Sequence, residues 1–463
     1  MSTTEMRPAA PVRPVRGGRW IDHWEPEDPG FWDKTGKRVA NRNLWFSIFA
    51  EHIGFSMWTV WSVLVLFMGP AYGIDPAGKF FLVALPALIG ALIRIPYTMA
   101  PARFGGRNWT IVSALLLLIP TLLAIIVMEP STSYTTFMVV AALGGLGGGN
   151  FASSMVNINT FFPEGRKGWA LGLNAGGGNI GVPAVQLLGL LVIAAAGTAY
   201  PRLVLAVYIP LIVIAAICAA VFMDNISSVC NDSGALREAV RDSQTWVMSF
   251  LYIGTFGSFI GYSFAFGLVL QTQFGRTPLQ AASVAFIGPL IGSLIRPVGG
   301  WMADRFGGAK VTLWDFMGMA LATGLVIIAS EQKSLPLFVA GFIGLFVLSG
   351  IGNGSTYKMI PSIFAGKAKV AIEAGEPPQP ALMRARRLSG AVIGIAGSIG
   401  AMGGVLINLA FRQSFLTAQS SGIPAFWAFL AFYAACVVVT YVVYLRRAPA
   451  TAPEHSRLAY AGV

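Results

Sequence analysis

Leu88-Ile-Gly-Ala-Leu-Ile-Arg94 and Leu290-Ile-Gly-Ser-Leu-Ile-Arg296 agree at six of seven positions and stand 202 residues apart. At the same offset, Arg103-Phe-Gly-Gly106 matches Arg305-Phe-Gly-Gly308. Apolar runs repeat easily by chance. Two arginines nine residues apart, repeated in one register, do not. The chain therefore reads as two related halves in parallel, each with an arginine inside an apolar segment.

Working outward, apolar segments of bilayer-spanning length fall near 44–68, 79–100, 108–128, 134–162, 168–196 and 201–224. They resume near 246–270, 280–302, 311–330, 336–362, 388–412 and 424–446. A bilayer core takes about 20 such residues per helix. The predicted order is a tail (1–43), six helices (44–224), a polar linker (225–245), six helices (246–446) and a second tail (447–463). The fold class is an all-α membrane protein of 12 transmembrane helices in two pseudo-symmetric six-helix halves. The first 43 residues carry eight Lys/Arg and no hydrophobic run, so they read as a tail and not as a signal peptide.

Composition agrees. The chain is 55% hydrophobic and 11% charged, against about 25% charged in soluble domains. The net charge of +12 is strung between apolar segments, which speaks against nucleic acid. With both termini in the cytoplasm, tails and cytoplasmic loops hold 24 Lys/Arg and the outer loops five. That asymmetry follows the positive-inside rule. Cys218, Cys230 and Cys436 form no metal or disulfide spacing. With His23, His52 and His455 they assemble no catalytic set, so neither an enzyme nor a cofactor or metal site is expected.

Arg94 and Arg296 each precede a loop arginine by nine residues, about 13 Å along a helix and close to mid-membrane. A charge there costs about 2.5–3.5 kcal/mol on insertion scales, and arginine keeps its proton. Gly90 lies four residues before Arg94, and Gly288 and Gly292 eight and four before Arg296. Small residues at that spacing mark a packed face, so the arginines point into the bundle. Glu51 reads as near the start of the first helix and Asp315 as early in the ninth, leaving no carboxylate in the middle of any helix. An external anion is then the simplest partner for the guanidinium forks. The plainer reading has each arginine bonded to backbone carbonyls. Lys358 is expected to snorkel to the membrane surface or to make a secondary anion contact.

Asn179 shares a helical face with Gly172 and Gly176 and is a candidate donor. Asn150 and Asn174 could bond across helices instead. Tyr252 and Phe256 lie one turn apart, and Phe151 sits within a glycine-rich helix. Aromatic faces could sandwich a flat anion and exclude water.

Gly300-Trp-Met-Ala-Asp304-Arg305-Phe-Gly-Gly-Ala-Lys310 resembles a loop signature of the major facilitator superfamily. Ala102 stands in the aspartate's place in the first half. Gly149-Asn-Phe-Ala-Ser-Ser-Met-Val-Asn-Ile-Asn-Thr-Phe-Phe-Pro163 and Gly168-Trp-Ala-Leu-Gly-Leu-Asn-Ala-Gly-Gly-Gly-Asn-Ile-Gly181 resemble the nitrate signature of the nitrate/nitrite porter family. Gly390-Ala-Val-Ile-Gly-Ile-Ala-Gly-Ser-Ile-Gly400 is the second-half counterpart, without an equivalent of Asn179. Leu251 to Gly261 resembles the same family's seventh helix. The resemblance implies that Arg94 and Arg296 clamp the substrate, that Phe151, Tyr252 and Phe256 surround it, and that Asn179 contributes a polar contact. Trp24 to Trp32 and Asn43-Leu-Trp45 are similar to the nitrate/nitrite exchange branch. The expectation is a monomeric, multi-pass carrier in the bacterial inner membrane, embedded in lipid, that exchanges nitrate for nitrite. Alternatives are a proton- or cation-coupled nitrate importer and a non-transporting anion sensor.

Overall fold

A computed structural model describes residues 19–229, 233–417 and 420–446. The expectations for 1–18, 447–463, Cys230 and His455 fall outside them. Among the described residues, 12 helices are long and apolar enough to cross a membrane. In chain order they are α1 (Pro29–Phe67), α2 (Pro76–Phe104), α3 (Gly106–Val127), α4 (Tyr134–Phe161), α5 (Gly165–Ala196) and α6 (Arg202–Phe222). The second half holds α7 (Ser243–Phe274), α8 (Pro278–Phe306), α9 (Gly308–Glu331), α10 (Leu335–Glu373), α11 (Pro378–Phe415) and α12 (Ile423–Leu445).

Local chemistry sets the boundaries. Asp75 caps α2 through the Gly78 amide at 2.7 Å, with Pro76 at the first turn. Thr277 and Gln280 close a capping box on α8. Gly105 ends α2 at φ +89° and Gly307 ends α8 at φ +91°. The sequence repeat is thus also a conformational repeat, at two backbone positions that favour glycine.

The first helix begins well before residue 44. Asp28 accepts from the Gly30 and Phe31 amides, and Pro29 opens a helix that runs to Phe67. Ahead of it, β1 (Trp20–Ile21) pairs in parallel with β2 (Asn225–Ile226), just after α6. Asp224 holds this strap, accepting from Arg19 at 2.9 Å, Arg42 at 2.5 Å and Asn43 at 2.9 Å. A short helix (Ser233–Arg241) follows, and Asp242 then pairs with Lys367 of α10 at 2.6 Å. Tyr444, near the end of α12, donates to Gln244 at the start of α7. Both described chain ends therefore lie on the linker side.

The halves meet on the other side. Phe80 of α2 stacks on Phe411 and Phe415 of α11, with centroids 5.2 Å apart in each pair. Gln186 of α5 donates to the Ser263 carbonyl of α7 at 2.7 Å, and Gln271 of α7 to the Leu66 carbonyl of α1 at 3.3 Å. On the linker side, Gly168, Gly172 and Gly176 of α5 and Gly390 and Gly394 of α11 have nothing within 4 Å of where a Cβ would stand. The space between the halves opens toward the linker side.

Candidate functional site

Arg94 is 1% exposed and Arg296 is 8% exposed, so both point into the bundle as expected. Close helix approach makes room for Arg94. Gly148 of α4 lies against the Gly90 backbone, where a Cβ would come within 2.8 Å. That brings the Gly148 carbonyl to Arg94 Nε at 3.2 Å, while Nη1 donates to the Gly397 carbonyl of α11 at 2.9 Å. The guanidinium carbon lies 5.3, 4.9 and 5.2 Å from the rings of Trp58, Phe151 and Phe256. Aromatic faces are electron-rich and hold a desolvated cation well. Arg94 Nη2 is buried without a partner.

Arg296 is held more lightly. Its Nη2 donates to the Tyr252 hydroxyl at 3.3 Å, and its guanidinium carbon lies 5.7 Å from the Tyr357 ring. Its Nη1 is also buried without a partner. Tyr252 stacks on Phe256 at 5.3 Å, and Phe256 on Phe151 at 6.3 Å. A π-turn at Ile253–Gly257 interrupts α7 directly after Tyr252 and includes Phe256. Such single turns re-aim side chains within a helix. Arg94, Phe256, Tyr252 and Arg296 thus form one continuous path across the interface between halves, flanked by Phe151.

The plainer reading of the arginines is right in part, since Arg94 does use two backbone carbonyls. It leaves one buried N–H-bearing nitrogen on each guanidinium unsatisfied. An unmade buried bond is costly, so the pair can accept a planar oxyanion between them. Among the described residues no ion pair involves either arginine.

Asn179 is 1% exposed, and neither amide atom has a partner. It lies on the face whose glycines stand open. Among the described residues it makes no hydrogen bond to the other five candidates. Asn174 does bond across helices, to Glu51. Lys358 is exposed, and its ammonium reaches the linker-side end of α8. It pairs with Asp304 of the loop signature at 2.8 Å.

One expectation is overturned. Glu51 is not near a helix start, because α1 begins at Pro29 and carries it to mid-helix. Its side chain is 1% exposed, accepts from Asn174 Nδ2 at 2.6 Å and is hydrogen-bonded to Ser154. Asp315 is likewise buried, against Gly352 of α10. The signal for Glu51 was present in α5. A Cβ at Gly178 would stand 2.2 Å from the Glu51 carboxylate, and Asn174 precedes Gly178 by one turn.

The model of the Major Facilitator Superfamily matches residues 44–407. The nitrate/nitrite transporter NarU of Salmonella typhimurium is 38% identical over 451 residues, covering 93% of this chain and 97% of that protein. The probable nitrate/nitrite antiporter NarK2 of Thermus thermophilus is 33% identical over 461 residues, with 93% and 97% covered. The chain belongs to the nitrate/nitrite porter family of the Major Facilitator Superfamily. A crystal structure of a point mutant of the nucleoside transporter NupG shares the fold, at TM-score 0.60 and 11% identity, over 86% of this porter and 99% of that chain. The porter is a multi-pass membrane carrier and not an enzyme.

Proposed function

We propose that the porter carries nitrate and nitrite across the bacterial inner membrane by alternating access, with the anion held between Arg94 and Arg296. The observation that carries this reading is the pair of buried guanidiniums, one from each half, each with an unpartnered nitrogen. The names of its relatives supply the substrates. The Lys/Arg asymmetry assigns the linker side to the cytoplasm, so the described conformation faces inward. No cofactor is needed, and a monomer contains the whole site.

In this reading the mode is exchange. A closed carrier without anion keeps uncompensated positive charge in a dry interior, where Coulomb energies are large. A bound anion relieves it, and nitrate and nitrite carry the same charge. Proteoliposomes loaded with nitrite should take up nitrate and lose nitrite one for one. Equal nitrate uptake into vesicles without internal nitrite would refute exchange. A second reading, proton-coupled import, gains support from the buried Glu51. It predicts uptake into nitrite-free vesicles when the exterior is made acidic.

A further inference from the structure

Glu51 lies on the face of α1 that carries Phe55 and Trp58, at i, i+4 and i+7. Trp58 covers Arg94, and Phe55 packs edge-on against Phe151 at 5.9 Å. The carboxylate is therefore one layer from the arginine site, on the linker side of the same aromatic wall. Burial opposes its charge, while Arg94 and Arg296 act through space in its favour. Tyr357 of α10 is the other titratable neighbour of a packed element, and His52 follows it on α1, with Nδ1 3.3 Å from the Gly177 carbonyl. From α4 and α5 it meets neutral donors, Ser154 and Asn174. Both converge on one oxygen, Oε2, while Oε1 is buried without a partner.

We infer that Glu51 is the third charge of the anion site: with Arg94 and Arg296 it leaves one net positive charge, which a single monovalent anion neutralises. The inference rests on the arginine-clamp reading above and deepens it. Two bare guanidiniums would leave a nitrate-loaded carrier positively charged. With an ionised Glu51 the loaded site is neutral, and the halves can close over it with no net charge moved into the dry interior. Only the empty carrier then keeps a charge, which is the state that exchange must avoid. Donor groups on Oε2 support the ionised carboxylate by the same chemistry that holds buried carboxylates elsewhere.

The test compares the full-length porter with Glu51→Gln in proteoliposomes. Glutamine is isosteric and still accepts from Ser154 and Asn174, so a structural role survives the change. Nitrate/nitrite counterflow is measured at potassium diffusion potentials of either sign. Wild-type exchange should be indifferent to the sign. Glu51→Gln exchange should differ by at least about threefold between the two signs, because its loaded site carries charge through the field. Its nitrate KM should fall by at least about threefold, since a repelling charge is gone. A variant matching wild type in both readouts overturns the inference. So does wild-type exchange that is already sensitive to the potential, a result that stands even if the variant is not recovered. Absence of wild-type counterflow would instead remove the exchange reading. Nitrate-dependent thermal stabilisation of the two purified proteins then decides, and equal stabilisation overturns the role of Glu51.

Discussion

Arg94 and Arg296 occupy equivalent places in two repeated halves, yet their surroundings differ. Arg94 is pinned by two carbonyls and lies over three rings. Arg296 has one hydroxyl and one ring. Duplication explains the shared position and closely matched sequence. It does not explain the environments, which come from the non-repeated residues Trp58, Phe151, Tyr252 and Phe256. Arg94 is the more tightly held of the two, and Arg296 has fewer contacts to fix it.

Lysine substitution should break this comparison most sharply. Lysine keeps the charge but lacks the planar fork. Arg94→Lys gathers the donors on one nitrogen, which cannot stand at the separate positions of Nε, Nη1 and Nη2, so nitrate kcat/KM in counterflow should fall by about 100-fold, or about 3 kcal/mol. Arg296→Lys should lose about tenfold, or about 1.4 kcal/mol. Equal losses would mean that the pinning of Arg94 has no consequence.

The loop glycines offer the same contrast in stability. Both have φ near +90°, and alanine there costs about 1–3 kcal/mol. Gly105→Ala should be the worse, because its Cβ would lie 2.3 Å from Asn225 Oδ1 behind the β1–β2 strap. Thermal unfolding in detergent would rank the two. Phe256→Ala comes next. It removes a ring shared by Arg94, Phe151 and Tyr252, and nitrate KM should rise about tenfold, or about 1–2 kcal/mol. Tyr252→Phe should be smallest. It deletes one hydroxyl from Arg296, raising KM about threefold with kcat unchanged.

The fold was legible because a bilayer imposes length, apolarity and charge asymmetry on sequence. The burial of the arginines was legible because a buried charge needs a reason, whereas the rings were implied by the family resemblance. Glu51 was misplaced for an equally physical cause. Continuous apolarity begins at residue 44, whereas Asp28-Pro29-Gly30 carries the helix-start chemistry. Shifting the helix start moves Glu51 from its edge to its middle. The partner of Lys358, Asp304, lies 54 residues away in sequence, which depth along a helix does not reveal. The face of Asn179 is readable from glycine spacing, but a face does not identify a partner.

The strap and the linker clamp have a mechanical corollary. Asp224 fastens the chain to one half and Asp242 to the other, and a rigid helix occupies Ser233–Arg241. Strap and helix are separated by six residues, 227–232, about 20 Å when drawn taut. That leash sets an upper bound on how widely the linker-side mouth can gape, whatever drives it.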